Sequence, residues 1–274
     1  MESKLCNDLL LLQEAAKEAS ALALSYCGRS IAKQRKADGS AVTEADRAVD
    51  KLLAERLQAA RPDYGWLSEE SGSGASRLVA RRVFIVDPID GTSAFIRARE
   101  DWTVALSLVE DGQQVLAVVI NPMREEVFHA GAGLGAFLNG RRISVSRQSE
   151  LAAARLVIPA TTLNGNRWRE PWPQVESISV NSIIYRLALV ACGRADAAFA
   201  LTPKWEWDIA PGALLVSEAG GIIADRNGLP LRFNTAEAKV EGFLASSPDL
   251  HQELVERLKG ALPTQMAAKE SIKV

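Results

Sequence analysis

The stretch Asp87-Pro88-Ile89-Asp90-Gly91-Thr92-Ser93 comes directly after the apolar run Val83-Phe84-Ile85-Val86 and is the most informative part of the chain. The apolar run predicts a buried strand, and the proline and glycine behind it favour a turn. Two carboxylates in such a turn predict a nearby cation, because burying a charge without a partner is costly. Hard divalent cations prefer oxygen ligands, so Asp87 and Asp90 are predicted to form half of a Mg²⁺ site.

The first half of the chain is predicted to be helical at its start and to contain strands afterwards. Apolar residues at helix spacing predict a first helix from about Leu5 to Gly28 and a second from Thr43, which can cap it, to Pro62. Apolar and alternating patterns predict four strands, at 83–86, 103–109, 115–120 and 127–130, with hairpin turns at Asp111-Gly112 and Asn139-Gly140. These strands are expected to form an antiparallel meander with the helices on one face.

From about Leu151 the pattern changes to strands that alternate with helices, which predicts a mixed sheet flanked by helices. The predicted strands are 156–158, 178–180, 197–200, 222–224 and 243–245, and the predicted helices are 182–192, 208–219 and 250–262. We therefore expect an α+β or α/β protein whose two halves, residues 1–150 and 151–274, form one compact unit. The loop 161–174, rich in Asn, Trp and Pro, is the candidate substrate rim.

Composition and charge argue against several classes of protein. The 274 residues are 47% apolar and 24% charged, and the formal net charge of −2 provides no bulk attraction for nucleic acid or an anionic membrane. No apolar run approaches the ~20 residues that span a bilayer, and three cysteines without paired spacing predict neither disulfides nor a zinc site. With two histidines, a histidine-rich metal site or a catalytic triad is nearly excluded. A cytoplasmic enzyme is the expectation.

Further carboxylates occur in three other segments: Asp46 in 42–46, Glu69 and Glu70 in 66–72, and Asp208 in 205–212. Each has a structural explanation as well. Asp208 can be the N-cap of a helix, Asp46 can complete a capping box with Thr43, and the two glutamates can lie in a solvated loop. The joint occurrence of these acids with the 87–93 segment favours a metal site over separate structural roles.

Taken together, these segments resemble the inositol monophosphatase superfamily. The matching blocks, which run in the family's order over roughly residues 5–260, are Ser40-Ala41-Val42-Thr43-Glu44-Ala45-Asp46, Glu69-Glu70-Ser71-Gly72, Asp87-Pro88-Ile89-Asp90-Gly91-Thr92, Trp207-Asp208-Ile209-Ala210 and Glu218-Ala219-Gly220-Gly221. The resemblance implies a layered α-β-α-β-α sandwich and a Mg²⁺-dependent, lithium-sensitive phosphomonoesterase that acts on a small phosphorylated metabolite. It also implies a homodimer, with neither a membrane nor a nucleic acid polymer as partner.

The resemblance also assigns roles to particular residues. The residues that match metal ligands are Glu69, Asp87, the backbone carbonyl of Ile89, Asp90 and Asp208, and they would hold two or three Mg²⁺ ions. The residues that match catalytic groups are Thr92 and Asp46, which would orient and deprotonate a metal-bound water, and Glu70, which would support a second water. The residues that match phosphate-binding groups are the backbone amides around Gly91, Thr92 and Ser93 and the side chain of Lys36.

The substrate is indicated by departures from the animal inositol monophosphatases. Those enzymes carry a glutamate seven residues before the equivalent of Asp208, where this chain has Leu201, which cannot accept hydrogen bonds from inositol hydroxyls. Segments 90–97, 101–104 and 206–208 are instead similar to the 3'(2'),5'-bisphosphate nucleotidase branch, which converts phosphoadenosine phosphate to AMP. We expect that reaction, with an inositol or sugar phosphatase as the alternative and a non-catalytic regulatory binding protein as a remote one.

Aromatic and basic residues could recognise such a nucleotide. The tryptophans that could stack on adenine are Trp102, Trp168, Trp172, Trp205 and Trp207. Packing is the alternative role for each of them, since a tryptophan near a loop is often a core residue. Two arginines of the 161–174 loop, Arg167 and Arg169, could bind a second phosphate.

Overall fold

The computed structural model describes residues 2–29, 33–35, 41–163, 168–259 and 261. The helices are α1 (Glu2–Tyr26), α2 (Glu44–Ala60), α3 (Thr92–Ile96), α4 (Ala160–Leu163), α5 (Ile183–Ala191), α6 (Glu206–Glu218) and α7 (Pro248–Lys259), with a 3₁₀ turn at Ala75–Leu78. Within the described ranges, no helix has both the length and the apolar character that crossing a lipid bilayer would require.

The strands form a seven-stranded sheet, a five-stranded sheet and two short ribbons. They are β1 (Lys33–Arg35), β2 (Ala41–Thr43), β3 (Gly65–Ser68), β4 (Arg82–Asp90), β5 (Thr103–Glu110), β6 (Gln113–Asn121), β7 (Glu126–Gly131), β8 (Gly135–Leu138), β9 (Arg141–Arg142), β10 (Arg155–Leu156), β11 (Glu176–Ser177), β12 (Ala197–Ala200), β13 (Lys204–Trp205), β14 (Ile222–Ala224), β15 (Lys239–Val240) and β16 (Phe243–Ser246). The ribbons pair β1 with β2 and β13 with β15.

The seven-stranded sheet has the order β3-β4-β5-β6-β7-β8-β9. From β4 onward every neighbouring pair is antiparallel, so the predicted meander is confirmed. Asp111-Gly112 and Asn139-Gly140 turn two of its hairpins with positive φ at both residues, as two-residue turns of this kind require. The edge strand β3 is parallel to β4, a pairing that the sequence pattern does not predict.

Side chains of the central strands alternate between two faces, and helices cover both faces. On β4, Phe84 and Val86 belong to the core formed with α1 and α2, whereas Val83 and Ile85 belong to the core formed with α5 and α6. Because the strand is buried on both faces, its apolar residues form an unbroken run instead of alternating with polar ones. This double burial brings Asp87 and Asp90 into the interior of the protein, because β4 continues through both residues instead of ending in the predicted turn before them.

The five-stranded sheet has the order β11-β10-β12-β16-β14 and contains both parallel and antiparallel pairs. Ala198 and Ala245 on one face join the core of α5 and α6, while Phe199 and Leu244 on the other face pack against α7. The layers are therefore α1 and α2, the first sheet, α5 and α6, the second sheet, and α7. The predicted α-β-α-β-α sandwich is confirmed, and α5 and α6 give the two halves a shared core.

Three predicted boundaries shift in the second half. The strand predicted at 178–180 lies at Glu176–Ser177. The helix predicted from Asp208 begins at Glu206, because Asp208 accepts a hydrogen bond from the N–H of Trp205, the residue that precedes the helix. The last helix begins at Pro248, since a proline fits the first turn without losing a backbone hydrogen bond. Asp208 is thus a first-turn residue and not the N-cap.

Candidate active site

The N-terminal ends of four helices meet near the ends of β3 and β4. Asp46 lies in the first turn of α2, Asp208 in the first turn of α6, and Thr92 is the first residue of α3. Asp90, the last residue of β4, accepts a hydrogen bond from the N–H of Ile184 at the start of α5. Helix N-termini carry unpaired N–H groups and partial positive charge, so this junction favours anions.

Asp87 is the buried centre of the acidic cluster. Its side chain is 1% exposed, and Oδ1 has no hydrogen-bond partner among the residues that the structure describes. Burial raises the pKa of Asp87 well above its usual range, and the carboxylates of its acidic neighbours raise it further: Glu69, Asp90, Asp208 and Asp46. A buried carboxylate surrounded by other carboxylates needs a cation, and an all-oxygen donor set fits a hard ion such as Mg²⁺.

Glu69 reaches this cluster because β3 runs parallel to β4. Ser68 is aligned with Val86, and the N–H of Glu69 donates to the carbonyl of Val86 at 3.3 Å, so Glu69 and Asp87 leave neighbouring strands at the same level. The chain then turns back at once, since the backbones of Ser68 and Gly72 exchange two hydrogen bonds of 3.1 Å. The parallel edge strand therefore explains how a glutamate 18 residues before Asp87 joins the same site.

Asp90 is held by donors from the second half of the chain. Its Oδ2 accepts hydrogen bonds from the hydroxyl of Ser182 at 2.5 Å and from the N–H of Ile184 at 2.6 Å. Burial raises the pKa of Asp90, while these donors and the nearby Arg186 oppose the increase. Sequence analysis missed Ser182 and Ile184. A usable signal exists, because a serine directly before an apolar helical segment is a typical N-cap.

Asp208 faces the same cluster from α6 and is partly exposed to solvent. Burial raises its pKa well above the usual range, with further contributions from Asp90 and Glu69, and Lys204 acts in the opposite direction. The N–H of Trp205 donates to Oδ2 of Asp208 at 3.2 Å, which fixes one side of the carboxylate. Asp208 is thus the acid through which the cluster meets solvent on the α6 side.

The two carboxylate oxygens of Asp46 make different contacts. Its Oδ2 accepts hydrogen bonds from the N–H and the hydroxyl of Thr43, at 2.8 and 2.6 Å, so the capping box is confirmed. Its Oδ1 lies 3.3 Å from the hydroxyl of Thr92, which also lies 3.2 Å from the carbonyl oxygen of Ile89. Burial raises the pKa of Asp46 to about 6, with a further contribution from Glu70.

Gly91 lies against the second half of the chain and has a backbone that favours glycine. Its φ is +94°, and an added Cβ would lie 2.8 Å from the carbonyl oxygen of Asp101 and 3.2 Å from the backbone nitrogen of Ser182. Thr92 and Ser93 follow as the first residues of α3, where N–H groups have no partner within the helix. Ser93 is exposed and Thr92 half-buried, so this backbone borders solvent. Lys36 lies outside the described residues.

The carboxylates converge without forming a complete set of metal ligands. In the part of the chain that the structure describes, no group of three or more His, Cys, Asp or Glu side chains has the arrangement of a metal site. The metal ligands therefore stay a prediction, which depends on the unpartnered Asp87 oxygen and on the mutual repulsion of the acids. The carbonyl of Ile89 would add a ligand of a different kind.

Among the tryptophans that could stack on adenine, Trp102, Trp168 and Trp207 are buried, as the packing alternative predicts, while Trp172 and Trp205 are half-buried. Trp102 is fully buried and meets Phe95 edge to face. Trp168 and Trp172 contact each other and Phe199 on the outer face of the second sheet. These contacts are apolar and edge-to-face or stacked, which is how aromatic residues stabilise a core.

Trp205 and Trp207 also make packing contacts, in this case with each other. Trp205 stacks on Trp207 with ring centroids 4.8 Å apart, and the ammonium of Lys239 lies 4.3 Å from the centroid of the Trp205 ring. Leu201 packs in the apolar cluster of Trp168. Arg169 is exposed beside a cavity of about 520 Å³ between the rim loop and α7, and Arg167 lies outside the described residues.

Comparison with known proteins agrees with the resemblance. The sequence profile of the inositol monophosphatase family matches residues 8–262. The chain is 34% identical to inositol monophosphatase 2 of Solanum lycopersicum over 230 residues, which cover 78% of this chain and 86% of the relative. It is 36% identical to the Nus factor SuhB of Xylella fastidiosa over 194 residues, which cover 68% and 69% of the two chains. The solved structure of suhB from Bartonella henselae has a TM-score of 0.80 at 29% identity, covering 92% of this chain and 98% of that one.

Proposed function

The chain belongs to the inositol monophosphatase family, and from that premise we propose that it hydrolyses the phosphate monoester of a small metabolite with Mg²⁺ held by its buried carboxylates. Proteins of this family are metal-dependent phosphatases that typically use Mg²⁺. The observation that supports the proposal most directly is Asp87, a fully buried carboxylate with an unpartnered oxygen and four acidic neighbours. That arrangement destabilises a protein unless a cation neutralises it.

The residues proposed to hold two or three Mg²⁺ ions are Glu69, Asp87, the carbonyl of Ile89, Asp90 and Asp208. Bound Mg²⁺ neutralises phosphate oxygens, acidifies a water and stabilises the leaving oxygen. The chain's own contribution is a rigid donor set: Asp90 is fixed by α5, Asp208 by the Trp205 N–H, and Glu69 by its bond to Val86. Fixed carboxylates keep the ions in place without reorganisation during the reaction.

Thr92 and Asp46 are proposed to handle the proton of the attacking water. The hydroxyl of Thr92 lies between the carbonyl of Ile89 and Oδ1 of Asp46, so it can accept a proton from water while it donates its own to Asp46. A pKa of about 6 places Asp46 in the range useful for a proton acceptor near neutral pH. Glu70, whose charge acts on Asp46, is proposed to support a second water.

The phosphate is proposed to bind where the N-terminal ends of α3 and the other helices meet. The backbone N–H groups around Gly91, Thr92 and Ser93 are at the solvent side of this junction, and Lys36 is proposed as an additional cation. This placement brings the phosphorus next to the Thr92 hydroxyl, which the in-line attack of a water requires.

Two substrate classes remain candidates, each with its own support. A 3',5'-bisphosphate nucleotide is favoured by Leu201, which packs in an apolar cluster and cannot bind the hydroxyls of inositol. Inositol 1-phosphate is favoured by the relatives, because those in Solanum lycopersicum and Mesorhizobium japonicum are named inositol monophosphatases. Because three of the five tryptophans are buried in packing contacts, the nucleotide proposal depends mainly on Leu201 and on the similarity of segments 90–97, 101–104 and 206–208 to nucleotidases.

The proposed function is tested by phosphate release with Mg²⁺ from phosphoadenosine phosphate, inositol 1-phosphate and fructose 1,6-bisphosphate. Protein treated with EDTA and the Asp87→Asn variant serve as controls for contaminating phosphatase. Release from at least one substrate that disappears in both controls is expected. Absence of release from all three contradicts the enzyme proposal.

The substrate choice is tested with the same assay by comparing kcat/KM for the nucleotide and for inositol 1-phosphate. We expect a preference for the nucleotide in the natural protein and a shift towards inositol 1-phosphate in Leu201→Glu. Leu201→Ala is the matched control, because it removes the same packing without adding a hydrogen-bond acceptor. A clear preference of the natural protein for inositol 1-phosphate contradicts the nucleotide assignment.

A further inference from the structure

Asp101 is a carboxylate outside the acidic cluster that binds the second half of the chain. It lies between α3 and β5, and its side chain is 14% exposed. Its Oδ2 accepts two hydrogen bonds from Asn181, one from the backbone N–H at 2.7 Å and one from the side-chain Nδ2 at 2.6 Å. The carbonyl of Asp101 accepts a third from the N–H of Ser182 at 3.3 Å. One residue thus anchors two consecutive residues that are 80 and 81 positions away.

The anchored segment is the one that holds Asp90. Ser182 donates its hydroxyl to Asp90, and its oxygen accepts a hydrogen bond from the N–H of Tyr185 at 2.9 Å, which begins α5. The hydroxyl of Thr103 lies 3.2 Å from the same oxygen. Any movement of Ser182 therefore moves a donor to Asp90 and the first turn of α5 together.

The backbones of Gly91, Asp101 and Ser182 are packed too closely for one of them to shift without the others. Gly91 is so close to Asp101 and Ser182 that a Cβ would overlap the carbonyl of the first and the backbone nitrogen of the second. Asp101 also remains a strong acceptor, because hydrogen bonds from Asn181 and the charge of Arg99 lower its pKa although burial opposes them. A charged acceptor with two donors from one residue makes a strong and directional contact.

We propose that Asp101 is a positioning residue: through Asn181 it fixes Ser182 and the first turn of α5 against Asp90, and it thereby sets the affinity of the site for Mg²⁺. This inference depends on the proposed function, in which Asp90 is a metal ligand. Partners that orient metal ligands typically change metal affinity or activity by about 10–100-fold when they are removed.

The test is a calorimetric titration of Mg²⁺ into purified full-length protein, together with the increase in Tm caused by Mg²⁺. Asp101→Asn keeps the size of the side chain but loses the charge and one acceptor. We expect about 10–100-fold weaker Mg²⁺ binding, a smaller increase in Tm, and a kcat that recovers at saturating Mg²⁺. Asn181→Ala removes the donor side chain and is expected to act in the same direction. The double variant is expected to be no worse than the stronger single one, since both act through one contact.

Asp196→Asn is the matched control. Asp196 is 2% exposed and accepts hydrogen bonds from the backbone and the guanidinium of Arg155, both at 2.7 Å, and in the described part of the chain these bonds involve none of the proposed ligands. The Asp196→Asn substitution is expected to lower the free energy of unfolding without changing the affinity for Mg²⁺.

Unchanged Mg²⁺ affinity in both Asp101→Asn and Asn181→Ala overturns the inference, and so does an equal loss in Asp196→Asn. If Asp101→Asn does not fold, Asn181→Ala decides alone by the same criterion. A natural protein that binds no Mg²⁺ at all overturns the proposed function as well, so the two failures are distinguishable.

Discussion

Two buried aspartates in the first half of the chain have opposite surroundings. Asp8, in α1, is fully buried and accepts hydrogen bonds from Arg61 at 2.7 Å, Tyr64 at 2.9 Å and Arg82 at 3.0 Å. Asp87 is as deeply buried, but one of its oxygens has no partner and its neighbours are acids. Both environments lie along the same strand, because β4 begins at Arg82 and passes through Asp87 near its end.

The two surroundings suit different roles: a carboxylate with donors around it stabilises the fold, whereas an uncompensated one is what the proposed cation site requires. Around Asp8 the sequence supplies enough donors to replace the water that the carboxylate loses on burial. Around Asp87 it adds further negative charge, which lowers stability and creates affinity for a cation. Burial alone therefore does not identify a functional acid, whereas burial without compensation does.

The largest expected effect comes from neutralising Asp87, the buried acid whose charge is uncompensated. Asp87→Asn should lower kcat by more than about 10³-fold, since a metal ligand, as Asp87 is proposed to be, would contribute at least as much as one electrostatic donor of an active site. In Mg²⁺-free buffer, however, its free energy of unfolding should stay the same or increase, because the change removes repulsion. Phosphate-release kinetics and urea denaturation in EDTA measure the two quantities. A clear loss of stability in EDTA would contradict the view that Asp87 is uncompensated.

Asp8, whose charge is compensated by hydrogen-bond donors, should behave in the opposite way. Asp8→Asn should lower the free energy of unfolding by about 3 kcal/mol, because Arg61 and Arg82 lose part of their buried partner. Its kcat and its Mg²⁺ affinity should remain those of the natural protein under conditions in which it is folded. Urea denaturation and Mg²⁺ calorimetry check both statements, and a large loss of Mg²⁺ affinity would remove the distinction between the two aspartates.

A smaller effect is expected from removing the hydroxyl of Thr92, which lies beside the acidic cluster. Thr92→Ala should lower kcat by about 10²-fold with little change in KM, since Thr92 is proposed to act on the attacking water. Thr92→Ser is the matched control, because it keeps the hydroxyl and should retain most of the activity. Steady-state kinetics with the best substrate distinguish this result from a rise in KM, which would indicate a binding role.

The smallest effect concerns pH. Burial raises the pKa of Asp46 from 3.8 to about 6, so the folded protein holds a proton that the unfolded chain has already released. This contribution to stability is complete below about pH 4 and is lost as the pH rises through about 6, at up to about 1 kcal/mol per pH unit. In EDTA, Asp46→Asn should therefore flatten the decline in stability between pH 4.5 and 6.5. If the free energy of unfolding declines equally steeply with pH in both proteins, burial does not raise the pKa of Asp46.

The helices and strands are predicted well because the spacing of apolar residues is a local signal, whereas the order of the layers is implied by the resemblance. Unbroken apolar runs and two-residue turns identify the meander, and the change to alternating elements identifies the second sheet. The parallel strand β3 escapes prediction, because Gly65–Ser68 is short and its partner lies far along the chain. Pairing between distant segments is decided by tertiary packing, which a window of a few residues cannot detect.

The sequence predicts which residues form the candidate site but not how these residues contact one another. For Asp46, capping and catalysis looked like alternatives, yet its two oxygens allow both roles at once. The contact of Ser182 with Asp90 joins residues 92 positions apart, and no local pattern connects them. The sequence does not separate the two roles of a tryptophan, because stacking on a ligand and packing in a core use the same apolar surface.

The division of the site between the two halves also has a consequence for the protein while it is being made. Asp90 leaves the ribosome 92 residues before Ser182, which corresponds to roughly 5–20 s of synthesis at typical rates. During that interval the first sheet can form, but the start of α5 and the carboxylate of Asp208 do not yet exist. A growing chain therefore carries the carboxylates of the first half for that interval without the α5 donors that hold Asp90 in the finished protein.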